Sequence, residues 1–103
     1  MIKVSVFYPN QPGSKFDMDY YCNSHIPLAK KLIGGALKGA SVDQGIAGGT
    51  PGAPAGYVAI GHLLFDSVEA FQNGFGPHTA VLMADVVNYT TVQPTIQISE
   101  IRM

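Results

Sequence analysis

Three histidines and two adjacent tyrosines hold most of the acid–base chemistry this chain can offer. The densest arrangement is Tyr20-Tyr21-Cys22-Asn23-Ser24-His25-Ile26-Pro27-Leu28. Met18, Tyr21, His25, Leu28 and Leu32 recur at steps of three and four, which places His25 on the apolar stripe of a helix. An imidazole titrates near neutral pH, so His25 is the first candidate for a catalytic acid or base. Pro27 cannot donate to the carbonyl of Asn23 and should kink the helix beside it, aiming the ring at a cavity. The competing reading is a core or interface histidine bonded to a carbonyl that Pro27 frees. Tyr21 shares the stripe, so its hydroxyl can orient a substrate oxygen; otherwise it is an amphipathic core residue. Tyr20 points about 100° away and is a candidate for binding only.

The other two histidines are binding candidates. His78 follows Gly76-Pro77 and is expected in the first turn of a short helix, where the helix dipole favours neutral imidazole. Its plainer role is a surface or capping residue. His62 lies in phase with Val58, Ile60 and Leu64 on a strand. That phase faces the helices, against Phe71 or Phe75, or, if reversed, lines a barrel interior. The histidines have no helical i, i+4 pairing and no cysteine partner, so no metal site is expected. Gly34-Gly35 and Gly48-Gly49 lack the strand–GxGxxG–helix setting of a dinucleotide site. No nucleophile signature is present, and Cys22 is expected to be buried rather than reactive.

The elements that must position these groups follow from periodicity. Ile2 to Tyr8 alternates and ends at Pro9, which gives a strand. Asp17 caps a helix that runs to about Ile33 and stops at Gly34-Gly35. Leu37 to Ala47 is a second strand candidate, followed by a Gly/Pro-rich loop. Tyr57 to Phe65 is apolar on both faces, so a central, doubly covered strand is expected. Asp66 as N-cap with Glu69 opens a second helix. Gly74, Gly76 and Pro77 interrupt it, and it resumes through Val87. Gln93 to Ile101 is the last strand. The order β-α-β-β-α-β is the ferredoxin-like unit, an α+β domain with a four-stranded antiparallel sheet and both helices on one face.

The chain has 103 residues, enough for one domain spanning 1–103. Charged residues make up 13%, about half the roughly 25% usual in soluble domains. So little charge on a small domain suggests that a second copy covers part of its surface, making a homodimer. The sheet face without helices, with small neutral polar groups and aromatics, suits a semi-polar cavity closed by that copy. Net charge is −1 and the six Lys and Arg do not cluster, so neither nucleic acid nor an anionic membrane is an expected partner. A single cysteine, no signal-peptide pattern and no apolar run of membrane length lead to a cytoplasmic expectation.

Several of these segments together resemble the EthD family: Ile2 to Pro9, Asp19 to Leu28 with its Tyr-Tyr-x-x-x-His-x-Pro-Leu core, Ser67 to Phe71, and Phe75-Gly76-Pro77-His78. The resemblance spans nearly the whole chain. It implies a dimeric α+β barrel, in which two ferredoxin-like chains pack sheet to sheet. Related barrels include cofactor-independent monooxygenases, isomerases and decarboxylases, so the fold does not fix a reaction. The expectation is a protein that handles a small, partly apolar molecule in catabolism or secondary metabolism, with one pocket per subunit. It would act without a cofactor, by proton transfer or oxygenation, with His25 as acid or base. The alternatives are a non-catalytic binding or accessory protein for a hydrophobic metabolite, and an interaction domain with a filled core.

Overall fold

In the computed structural model, which describes residues 1–103, the expected element order is present. Strand β1 (Ile2–Pro9) leads into α1 (Met18–Tyr20), a π-helical turn (Tyr21–His25) and α2 (Ile26–Ile33). Strands β2 (Gly39–Gln44) and β3 (Tyr57–Phe65) follow. Helices α3 (Val68–Phe75) and α4 (Thr79–Asp85) are joined by a 3-10 turn, and β4 (Thr95–Glu100) closes the sheet. The sheet order β2-β3-β1-β4, antiparallel throughout, is that of the ferredoxin-like fold. No helix is long and apolar enough to cross a membrane.

The first helix begins where the sequence places it: the Asp17 carboxylate accepts from the Tyr20 N–H at 3.0 Å. Gly34 at φ 69° ends it. Between them lies a widened turn rather than only the expected kink. Ile26 N–H bonds back to Tyr21 O, five residues away. Such a turn accommodates a proline that cannot donate, and it adds a residue to the helical phase. The buried set is therefore Tyr21, His25, Ile26, Ala29 and Ile33, and the stripe leaves Leu28 and Leu32 at its margin.

Three local expectations are corrected. The cap of α3 is Ser67, whose Oγ accepts from Ala70 N–H at 3.0 Å; its extended backbone meets the geometry of a cap, while Asp66 lies outside, 3.9 Å from the Lys38 ammonium. The second strand is shorter than Leu37 to Ala47. Cys22 is exposed, because the widened turn leaves the residue after Tyr21 on the solvent side.

The core has two parts on the helix side of the sheet. An aliphatic cluster joins Ile2, Val4, Leu63 and Phe65 to Ala29, Ile33 and Leu82. An aromatic cluster joins Tyr8 and Ala59 to Tyr21, Ile26 and Tyr89. Strand β3 is central, as expected, but only one of its faces is covered: Ala59, Gly61, Leu63 and Phe65 are buried, while Val58, Ile60, His62 and Leu64 are half-buried. The expectation of a doubly covered strand is therefore not met within this chain.

Candidate active site: an aspartate–histidine pair in an aromatic cavity

Register decides which histidine reaches which side. Directly opposed residues of an antiparallel pair point to the same face. Ser5 opposes His62, and His62 opposes Ser41, so His62 projects from the face without helices. Of the two orientations open to His62, packing against Phe71 or Phe75 is therefore excluded: the helix-facing phase is Ala59, Gly61, Leu63, Phe65. On its own face His62 joins a chain of hydrogen bonds. The Ser5 hydroxyl donates to His62 Nδ1 at 3.1 Å, and Nε2–H donates to the Asp43 carboxylate at 2.8 Å. These are the residue types of a nucleophilic triad. Ser5, however, lies on a strand paired along both edges, so its neighbouring backbone N–H groups are committed and no oxyanion donors flank it.

His78 is not brought to either group. It ends the 3-10 turn at φ −110°, ψ 2°, just before α4 rather than within its first turn, because Pro77 takes the preceding position. It caps nothing with its side chain and lies outside the cavity described next.

The cavity lies between the helix-facing side of the sheet and the helices, not on the open sheet face where a second copy would close one. It encloses about 50 Å³, room for a few waters or part of a small ligand, and 12 of its 15 lining residues are hydrophobic. Tyr8, Tyr21, His25 and Tyr89 form its inner end. Met83 and Ile96, both more than 40% exposed, and the half-buried Pro94 mark its mouth between α4 and β4.

His25 and Tyr21 thus meet as the stripe predicts, their rings stacked with centroids 5.6 Å apart. The His25 partner is not a backbone carbonyl. Nδ1 lies 2.8 Å from Asp85 Oδ2, at the end of α4. The Tyr20 hydroxyl donates to Asp85 Oδ1 at 2.7 Å, and the Asn88 amide donates to the same oxygen at 2.9 Å. Tyr20 therefore holds the carboxylate from outside the cavity. Burial works to raise the Asp85 pKa, but hydrogen bonds from Asn88, His25 and Tyr20 outweigh it, and the carboxyl lies below its ordinary 3.8.

An ionised carboxylate can only accept, so Nδ1 of His25 carries the hydrogen. In the neutral ring the lone pair is then on Nε2. That atom has no hydrogen-bond partner in the chain and is not sealed from the cavity. The arrangement holds a base at one fixed orientation, with a carboxylate behind it to stabilise the imidazolium that proton uptake would form.

Sequence reasoning missed Asp85, Tyr8 and Tyr89. Tyr8 and Tyr89 share a buried hydroxyl–hydroxyl hydrogen bond of 2.7 Å. Burial, above all, pushes the Tyr8, Tyr21 and Tyr89 phenols well above the usual range. All three therefore stay neutral donors. Tyr20 is raised too, chiefly by its hydrogen bond to Asp85. The signal for Asp85 was a lone charge within the apolar stretch Val81 to Val87, with Asn88 three residues on.

Asp85→Asn gives a prediction with a definite sign. The folded pKa is depressed, so the stability from Asp85 is complete above its ordinary value and is lost as pH falls through the folded value. Urea unfolding followed from neutral into the acid range should show a loss in the parent that the Asp85→Asn variant lacks. At neutral pH that variant should be about 1–3 kcal/mol less stable. Its amide would also donate to Nδ1, moving the ring hydrogen to Nε2 and removing the lone pair from the cavity. Identical acid profiles for the two proteins would show that Asp85 carries no such linkage.

The comparisons agree with this architecture. Residues 14–93 match the model of the EthD domain. The crystal structure of an EthD-like protein from Ralstonia eutropha JMP134 is 40% identical, with a TM-score of 0.94 over 99% of this chain and 92% of that one. An ethyl tert-butyl ether D (EthD) family protein from Bacillus halodurans C-125 is 23% identical, with a TM-score of 0.73 over 98% of each chain. A protein of Arabidopsis thaliana shares the fold at 11% identity, with a TM-score of 0.71 over 100% of this chain and 97% of that one. No curated protein matches the sequence.

Proposed function

The chain belongs to the EthD family, and from that premise we propose that it admits a small, largely apolar molecule to the cavity beneath its sheet and removes a proton from it with His25. One observation carries this reading: His25 lines an apolar cavity with its Nε2 unpartnered in the chain, while Asp85 fixes the opposite nitrogen. A histidine kept only for packing would have no need of a free acceptor in a dry wall. Tyr21 stacks on the imidazole and sets its tilt. The anion left by proton loss is also the electron-rich species that reacts with oxygen, so oxygenation is a compatible later step.

Ligand binding is testable before any turnover is known. The chain has no tryptophan, and three of its five tyrosines line the cavity. Single-ring neutral compounds should quench its tyrosine emission saturably, and Ile96→Lys at the mouth should weaken that binding at least tenfold. Failure of every such compound to bind would remove the reading. An apolar wall by itself also serves an accessory protein that only carries a hydrophobic metabolite. Solvent-deuterium exchange into a bound carbon acid separates the two, because a carrier does not catalyse it.

The same reading has a second copy of the chain cover the sheet face that carries no helices, a proposal supported by the side chains on that face. Phe7 and Tyr57 pack there with ring centroids 5.1 Å apart, and on the same face Ile60, opposite Phe7, and Leu64, opposite Lys3, are only half-buried. Pairing two such faces would remove on the order of 1,500 Å² from water, the scale of a stable interface. Sedimentation at micromolar concentration should give a dimer, and Ile60→Asp should shift it to monomer. A parent protein that sediments as a monomer would sink this assembly.

A further inference from the structure

Resting on the proton-transfer reading above, we propose that the ligand is a weak oxygen acid, a phenol or an enol, held in the cavity as its anion with the Tyr8–Tyr89 hydroxyl pair as hydrogen-bond donor. Two hydroxyls 2.7 Å apart share one hydrogen bond and so use one of their two hydrogens. The Tyr21 hydroxyl adds a second hydrogen bond, to Tyr8, so in the direction Tyr21 to Tyr8 to Tyr89 the one hydrogen left over is that of Tyr89. A spare donor and a spare acceptor, His25 Nε2, therefore line the same apolar space. The His25 and Tyr89 rings are neighbours, with centroids 4.7 Å apart, and both line the cavity. A spare donor and a spare acceptor in one apolar wall are complementary to an oxygen that gives up one hydrogen and receives another.

The step balances without an oxidant or reductant. The ligand O–H bond breaks and an N–H bond forms at Nε2. The electron pair stays on the ligand oxygen, which accepts the tyrosine hydrogen bond. The imidazolium so formed sits between that anion and the Asp85 carboxylate. The groups facing His25 are Asp85 from α4, Tyr20 and Tyr21 from the first helix, Tyr8 from β1 and Tyr89 from the segment after α4. Burial keeps the cavity tyrosines protonated, so they donate rather than ionise. No lysine or arginine lines the cavity. The charge that the site can balance is thus the one it creates itself, and a second fixed charge on the ligand would find no partner in the wall. A donor aimed at developing negative charge in a low-dielectric site is worth far more than one in water.

The test uses para-nitrophenol, whose anion absorbs visibly, and para-nitroanisole, which has a similar shape and no proton to lose. At a pH where the free phenol is mostly protonated, the bound phenol should show the phenolate band, and the anisole should bind with no such change. His25→Gln should abolish the band. The double variant Tyr8→Phe with Tyr89→Phe should cut the ionised share of bound phenol by about tenfold, the factor of one pKa unit. Each single Phe variant leaves one hydroxyl without its polarising partner and should give a smaller cut; the singles decide the matter if the double variant does not fold. A bound phenol that keeps its neutral spectrum overturns this inference while the pocket reading stands. Ionisation unchanged by loss of the hydroxyls overturns the tyrosine role. Failure of both probes to bind overturns the pocket reading and this inference with it.

Discussion

Replacing His25 with alanine is expected to stop solvent-deuterium exchange into a bound β-diketone while leaving the fold standing. Loss of a positioned base costs about 10²–10⁴ in rate, and no second group in the cavity can take over. Tyr8, Tyr21 and Tyr89 are held protonated by burial, and Asp85 lies behind the ring rather than in the cavity wall. The structural cost is bounded by what remains: Asp85 keeps its hydrogen bonds from Tyr20 and Asn88. Losing one hydrogen bond to a carboxylate costs about 1–3 kcal/mol. That corresponds to a drop of about 4–8 °C in melting temperature per kcal/mol. His25→Gln separates the two contributions, because its amide can still donate to Asp85 but is not a base. It should recover much of the melting temperature and none of the exchange. Exchange that persists in the alanine variant would sink the catalytic reading. A large fall in melting temperature with unaltered exchange would mark His25 as structural.

Gly61→Ala is expected to damage fold and site together, through a contact that is simple to state. A Cβ at position 61 would stand 2.1 Å from the Tyr21 hydroxyl oxygen and 3.3 Å from the ring carbon that bears it. The ring cannot easily yield. Tyr21 is 2% exposed and packs edge-on against Tyr8 and Phe16, with centroids 5.4 and 5.2 Å away. Forcing a methyl into such packing costs about 1–3 kcal/mol. The displaced ring is the one stacked on His25, so probe binding should fall as well. Tyr21→Phe supplies the internal check. Removing the hydroxyl removes the 2.1 Å contact and leaves the 3.3 Å one, so Gly61→Ala should be much milder in the Tyr21→Phe background. Melting temperatures of the two single variants and the double form a cycle whose coupling should exceed about 0.5 kcal/mol. Strict additivity would show that the hydroxyl is not what Gly61 makes room for.

What the sequence determined by itself was whatever local period and local chemistry encode. The bounds of β3, the Asp17 cap, the stop at Gly34 and the shared stripe of Tyr21 and His25 follow from neighbours a few residues apart, where helix and strand geometry leave little choice. Element order then led to the sheet topology, and the Tyr-Tyr-x-x-x-His-x-Pro-Leu segment to the family. Locally ambiguous signals went astray. Asp66 and Ser67 are both competent caps, and only the backbone angles choose between them. Period two told which strand residues share a face with His62, but not which face the helices would cover. That was decided when Leu63 and Phe65, rather than Ile60 and Leu64, met Ala29 and Ile33. The site itself belongs to tertiary structure. Asp85 lies sixty residues from His25, and Tyr8 and Tyr89 are eighty-one apart. No pattern along the chain links them. Docking of α4 against the first helix and the sheet brings the carboxylate to Nδ1, and Gly61 leaves room for Tyr21 beneath it. A pair of groups becomes a base and its support only when packing fixes their distance, and a linear sequence holds no distance between residues this far apart.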